Sequence, residues 1–149
     1  MAELRVAIED ASGNDLVLDS TGRITSNTVA QIAADMYTEA ATTRNVSGNT
    51  STQTWLVNAS TCWVTVNLTV LTGGTTPTVT VSLQQLDANA VWHTVASSSA
   101  LNAVGTAQFS VGAGMTTGAM LKAGGSYRLS WVVTGTPTTA TFQIALSGR

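Results

Sequence analysis

The chain is short of most of what chemistry is built from. It has one cysteine, one histidine and two prolines, and charged side chains make up 9% of its 149 residues, against about 25% in an average globular domain. A single Cys62 cannot close an internal disulfide, and together with His93 it cannot complete the usual four-ligand Cys/His zinc site. No metal or other cofactor is therefore expected. Lys122 is the only lysine, and with five arginines the formal net charge is -2 and the pI about 5.0, so there is no basic stripe to follow a phosphate backbone. Nucleic acid is not an expected partner. No run approaches the ~20 apolar residues of a membrane helix, and the first ten residues lack the basic and then apolar layout of a secretory signal. The expectation is a product made in the cytoplasm of its host cell, with no membrane partner. The four Asn-x-Ser/Thr sequons, at Asn45, Asn49, Asn58 and Asn67, are what a Ser- and Thr-rich chain produces by chance.

What is plentiful is threonine, 26 residues in all, with valine also common and leucine and glutamate scarce. That is strand-forming composition. A chain of this length buries roughly 68–70% of its unfolded surface and can hold a core unaided.

Charge is spread unevenly. Residues 1–44 carry seven acids against three bases, net -4, while residues 45–149 carry Asp87 against Lys122, Arg128 and Arg149, net +2. The chain therefore reads as an N-terminal arm or small lobe over 1–45 and a β domain over 46–149. Within the arm, Leu4, Val6 and Ile8 form one apolar run and Leu16 to Leu18 another, parted by the turn-forming Ser12-Gly13-Asn14-Asp15, which predicts a hairpin. Val29, Ile32, Ala33, Met36, Tyr37 and Ala40 recur at helical spacing behind a capping Asn27, which predicts one short amphipathic helix. Residues 41–53 have no period and read as a linker or extended connection.

Beyond them the period becomes two. Cys62, Val64, Val66, Leu68 and Val70 alternate with Trp63, Thr65, Asn67 and Thr69, as in a strand with one buried and one polar face. The same alternation recurs through Val79, Val81 and Leu83, through Leu129, Trp131 and Val133, and through Ala140, Phe142, Ile144 and Leu146. Shorter strands are expected over 53–57, 91–95 and 107–111. About seven short strands with turn signals between them predict an all-β antiparallel β-sandwich of Greek-key or jelly-roll connection. The stretches 70–83 and 133–146 echo one another, each a strand, a Gly/Pro turn and a strand, with Pro77 and Pro137 where a strand begins.

Catalytic parts are scarce. Asp87, His93 and the serines Ser97, Ser98 and Ser99 supply the residue types of a triad, but all within a dozen residues and without nucleophile-elbow glycines. His93, between Val91 and Val95 on one strand parity, reads as a packed or interface histidine, and Cys62, on the apolar parity, as inert core. The β domain has a single acid and cannot assemble a two-carboxylate hydrolase. Glu9, Asp10, Asp15 and Asp19 lack the dense spacing of a calcium loop and read as a solvated face, and the 112–118 glycines lack the Lys-Ser/Thr of a phosphate loop. No enzyme is expected.

Contact surfaces are better represented. Trp63 and Trp92 fall on the polar parity of their strands, so they either pack on an outer sheet face or meet a partner. The loop over 112–126 holds five glycines together with Met115, Met120 and Leu121, apolar side chains that a neighbouring subunit would cover. A surface whose main polar groups are Thr and Ser suits broad protein contacts.

The Gly73-Gly-Thr-Thr-Pro-Thr-Val-Thr-Val81 turn and strand, the Val91-Trp-His-Thr-Val95 strand, and Leu121-Lys-Ala-Gly-Gly-Ser-Tyr-Arg-Leu-Ser-Trp131 resemble small β-sandwich virion proteins of tailed bacteriophages, the head decoration proteins above all. The likeness spans about residues 50–149 and is one of style. It implies a non-enzymatic subunit, homotrimeric or otherwise homo-oligomeric, that binds the major capsid protein on the outer surface of the virion head and braces it. The acidic arm, residues 1–45, departs from the plain sandwich pattern and becomes the candidate capsid-docking segment, with Leu4, Val6 and Ile8 as candidate interface residues. Two alternatives stay open: a minor tail or neck protein, and a carbohydrate-binding module for host attachment that stacks sugars on Trp63 and Trp92.

Overall fold

The computed structural model describes residues 8–9, 15–18, 24–25, 34–54, 61–112, 115, 121–122 and 124–148. The chain divides into two compact units, Met1–Ile32 and Ala33–Arg149. In the first, β1 (Ile8–Glu9), β2 (Asp15–Leu18) and β3 (Ile24–Thr25) form a three-stranded antiparallel sheet in that order. Ile8 stands opposite Leu16 and Glu9 opposite Asp15, so the residues described on either side of the turn cluster pair as it predicts.

The second unit is a sandwich of eight strands: β4 (Ala34–Thr43), β5 (Gly48–Asn49), β6 (Thr61–Thr72), β7 (Thr78–Leu86), β8 (Trp92–Ser97), β9 (Gly105–Gly112), β10 (Tyr127–Thr134) and β11 (Thr139–Gly148). They make two antiparallel four-stranded sheets, ordered β4-β11-β6-β9 and β5-β10-β7-β8. The pairs β7·β8, β6·β9, β5·β10 and β4·β11 are nested like the rungs of one long antiparallel ribbon. Rolling that ribbon until β6 meets β11 and β7 meets β10 gives the jelly roll. The predicted sandwich is therefore present. Among the described residues there is no helix, and hence none long and apolar enough to cross a membrane.

The helix predicted over 27–40 is a correction. Residues 27–33 lie outside the described ones, and from Ala34 the chain is strand β4, antiparallel to β11 from Ala34 opposite Gly148 to Thr43 opposite Thr141. Met36, Tyr37 and Ala40 fit a helical stripe, but Thr38, Thr42 and Thr43 are β-branched, and β11 offers a row of backbone partners that a surface helix would leave unpaired. Tertiary pairing overrides local propensity here. The 41–53 connection is likewise partly sheet: β5 lies against β10, and Gln53 exchanges both backbone hydrogen bonds with Tyr127 at 2.8 Å. Of the strand expected over 53–57, residues 55–57 lie outside the described residues.

The period-two readings hold where they matter most. Cys62, Val64, Val66, Leu68, Val79, Val81, Leu83, Leu129, Phe142, Ile144 and Leu146 are wholly buried and form one core between the sheets. Each such aliphatic or aromatic side chain contributes about 1.5–3 kcal/mol of transfer free energy. Val70 breaks the pattern. A bulge between the β6 and β11 pairings at Leu68/Phe142 and Val70/Thr141 shifts the parity, so Leu71 packs on the core and Val70 is exposed.

At one end the two echoing turns interlock. The Thr75 N–H donates to the Gly135 carbonyl and the Thr138 N–H to the Thr72 carbonyl, both at 2.9 Å. Gly74 (φ 74°) and Gly135 (φ 70°) sit in the left-handed region with the other turn's backbone packed where a Cβ would be.

Candidate functional site

The outer face of the β5-β10-β7-β8 sheet carries the most organised group of polar and aromatic side chains. Trp92 stands opposite Leu86 at the start of β8, and the Arg128 guanidinium lies 4.4 Å from the centre of its ring. Arg128 Nε donates to Gln84 Oε1 at 2.7 Å, and Gln84 Nε2 reaches Thr94 Oγ1 at 3.3 Å. The arginine is thereby held over the indole, with ring quadrupole and amide both favouring its charge. Trp63 belongs to the other sheet. It alternates with the buried Cys62 and Val64 on β6, and so faces outward from β4-β11-β6-β9, half-buried, opposite Ser147 and Ser110. The two tryptophans thus lie on opposite faces of the sandwich. They do not form one platform, and one face of the Trp92 ring is covered by arginine.

Of the glycine-rich loop the described residues are Gly112, Met115, Leu121, Lys122 and those over 124–126. Leu121 is half-buried and packs on the chain's own core. The Lys122 carbonyl accepts the Tyr127 hydroxyl and the Gly125 N–H, each at 2.9 Å, which ties the end of the loop to β10. Met115 is half-buried and donates its N–H to the Gly112 carbonyl at 3.1 Å. Met120, Leu4 and Val6 lie outside the described residues, and Ile8 is placed only as the β1 partner of Leu16.

The structure brings together two of the three triad residue types. His93 Nε2 is 2.9 Å from Asp87 Oδ2. Asp87 Oδ1 also accepts the N–H groups of Val91 and Asn89, both at 2.8 Å. The Val91 bond and then His93 hold its carboxyl below the usual range. The serines do not join them. Ser97 is four residues further along β8, about 13 Å at strand rise, and shares a 2.8 Å hydrogen bond with Ser82, while Ser98 Oγ accepts the buried Val81 N–H at 3.1 Å. What Asp87 organises is the β7–β8 hairpin, and His93 is an exposed strap across it (62% of the side chain accessible), not a packed histidine. Cys62 is buried, as its parity predicts, and burial pushes its thiol up to about 11. Among the described residues no three Cys, His, Asp or Glu side chains are grouped to hold a metal ion.

One organising residue has no obvious mark in the sequence. Arg44 stands in a stretch that reads as linker, yet its side chain is only 9% accessible. It donates to Glu39 Oε1 at 2.7 Å and to the carbonyls of Phe142, Thr42 and Ala40 at 2.8, 3.2 and 3.3 Å. Its guanidinium also lies 4.9 Å from the Phe142 ring and 5.1 Å from the Trp131 ring. Those carbonyls border the place where β4 slips register against β11 between Phe142 and Ile144. Arg44 therefore pins a bulge, a structural task. Glu39 accepts the Tyr37 hydroxyl on its other oxygen, and that bond, with Arg44, lowers its pKa. Its aromatic partners lie on β10 and β11, far away in the sequence, so no local pattern marks it.

Compared with protein-family models, curated proteins and solved structures, the chain matches none.

Proposed function

We propose that this protein is a non-enzymatic structural subunit of a tailed-phage virion, bound to the major capsid protein on the outside of the head and associated with copies of itself. The observation that carries the reading is the eight-stranded jelly roll with hydroxyl and amide ladders on its outer faces. The Thr78–Thr134, Ser82–Ser97 and Thr43–Thr141 pairs meet at 2.7, 2.8 and 2.9 Å, and Gln108 reaches Thr65 at 3.1 Å. Such a surface has little charge to desolvate and suits broad, flat protein contacts. Jelly rolls recur in viral capsid and lectin domains, and that argument is one of fold-level analogy. A subunit that binds only the assembled lattice stabilises it by mass action, RT ln(1 + [L]/Kd) per site, summed over many sites.

Docking is assigned to the acidic N-terminal arm, in which residues 34–43 form a sandwich strand and 1–32 belong to the first unit. The test is cosedimentation of the full chain with expanded, undecorated heads, titrated to saturation. Binding at a fixed ratio to the major capsid protein, with a raised head-disruption temperature, is expected. Absence of binding overturns the head assignment and leaves the tail or neck protein, located by labelling virions, and the glycan binder, read on a glycan array.

A further inference from the structure

We propose that β9 is the self-association edge of the molecule, adding antiparallel to β9 of a second copy across a two-fold axis. The sandwich ends in four edge strands, β4 and β9 on one sheet and β5 and β8 on the other. An edge strand offers a row of unpaired N–H and C=O groups, and proteins that stay monomeric blunt such rows with short strands, bulges or charges. Three of the four are blunted in this way. β5 is two residues long. β4 slips register twice against β11 and carries Asp35 and Glu39. β8 slips once against β7, between Leu83 and Gln84.

β9 has no such device. It pairs with β6 without a register shift from Gly112 opposite Thr61 to Gly105 opposite Leu68. Its sequence, Gly105-Thr-Ala-Gln-Phe-Ser-Val-Gly112, contains neither charge nor proline. Among the described residues no strand pairs with its other side. The edge is about 27 Å long at antiparallel rise. It also has apolar surface to cover. Phe109, opposite Val64 on the core side, packs on the core yet stays only half-buried where the sheet stops. Val104, one residue before Gly105, is 63% exposed.

The occupant is a second copy because the strand suits itself. Antiparallel pairing of one strand with its own copy is isologous and closes after two chains. A neutral strand meets no like charge in that pairing, whereas β4 paired about its acidic half would set Asp35 against Glu39 of its copy. The result is a continuous eight-stranded sheet across the dimer.

This inference rests on the self-association part of the proposed function, and the experiment separates the two. Thr106 and Gln108 are exposed on the outer side of β9, where their side chains make only solvent-exposed hydrogen bonds to Asn67 and Thr65. In the full chain, Thr106→Lys with Gln108→Lys is expected to raise the dissociation constant measured by sedimentation equilibrium by about tenfold or more, with circular dichroism and thermal midpoint unchanged. Thr80→Lys, on the outer face of the central strand β7, is expected to leave association as in the wild type. Amide exchange across 105–112 should slow with protein concentration over the range in which copies associate. A double-lysine protein that associates like wild type, or β9 amides whose exchange ignores concentration, overturns the edge and leaves self-association standing. A wild-type chain that stays monomeric at its highest soluble concentration overturns both, while head binding by cosedimentation is judged on its own.

Discussion

Arg44 is the side chain on which most of the local order around β4 turns. It holds the half-buried Glu39 carboxylate, three carbonyls and two aromatic rings in a single geometry, which only a planar guanidinium can do. Arg44→Lys is expected to destabilise the sandwich by about 1–2 kcal/mol in urea unfolding, since an ammonium cannot reach the Glu39 carboxylate and the three carbonyls at once as the fork does. An unchanged midpoint would show that the bulge holds itself. Glu39 adds a pH dependence. The Tyr37 hydroxyl and Arg44 lower its folded pKa below the unfolded value, so its stabilisation is present above the ordinary carboxylate range and is lost as pH falls through the lowered value. Tyr37 works in the opposite sense. Burial and then Glu39 raise its pKa to about 12, so its contribution is whole below about pH 10 and disappears as pH rises toward 12. In thermal melts across pH, Glu39→Gln should flatten the acid limb and Tyr37→Phe the alkaline limb. Parallel curves for wild type and both variants would remove these two groups from the account.

At the scale of elements, the strands with one buried and one polar face were legible in the sequence, because a period of two has no other economical explanation. β6, β7, β10 and β11 lie where the alternation of valine, leucine and threonine puts them. β4 was not legible. Its stripe of Met36, Tyr37 and Ala40 satisfies helix and strand alike, and the choice is made by β11, a hundred residues later, whose edge needs a partner. The interlocked turns are another long-range element. Each Gly/Pro turn is visible as a turn, but that the two share hydrogen bonds follows only from the rolled ribbon. Gly74→Ala puts a Cβ against the Gly135 carbonyl in a backbone with φ of 74°. The left-handed strain and the overpacking together are expected to cost about 2–4 kcal/mol, lowering the calorimetric midpoint by roughly 10 °C. A change of a degree or two would mean that the turns separate at little cost.

At the scale of the whole molecule, the nested pairing joins residues far apart in sequence, such as Thr43 with Thr141 and Gly112 with Thr61. Jelly rolls of this kind close long loops before their contacts form, and folding in the range of milliseconds to seconds or slower is expected. Cys62 provides the probe. Wholly buried between the sheets, with its thiol pushed up to about 11, it should be inert to a thiol reagent in the native state and react only when the sandwich opens. Labelling at a rate that follows global unfolding in urea is the expected result, and rapid labelling in native buffer would place an opening near the start of β6.

Composition and period were enough to specify that this chain is a β-sandwich with its valines, leucines and Phe142 inside, because burial of alternating side chains is a local property of a strand. The same local view identified Trp63 and Trp92 as outward-facing, since parity depends only on neighbours in sequence. It could not say that they face away from each other, that Asp87 reaches His93 but no serine, or that the Arg44 side chain is buried. Nor could it say which of four edges is left open. Those relations join residues on different strands, and they exist only once the ribbon has rolled and each strand has found its register.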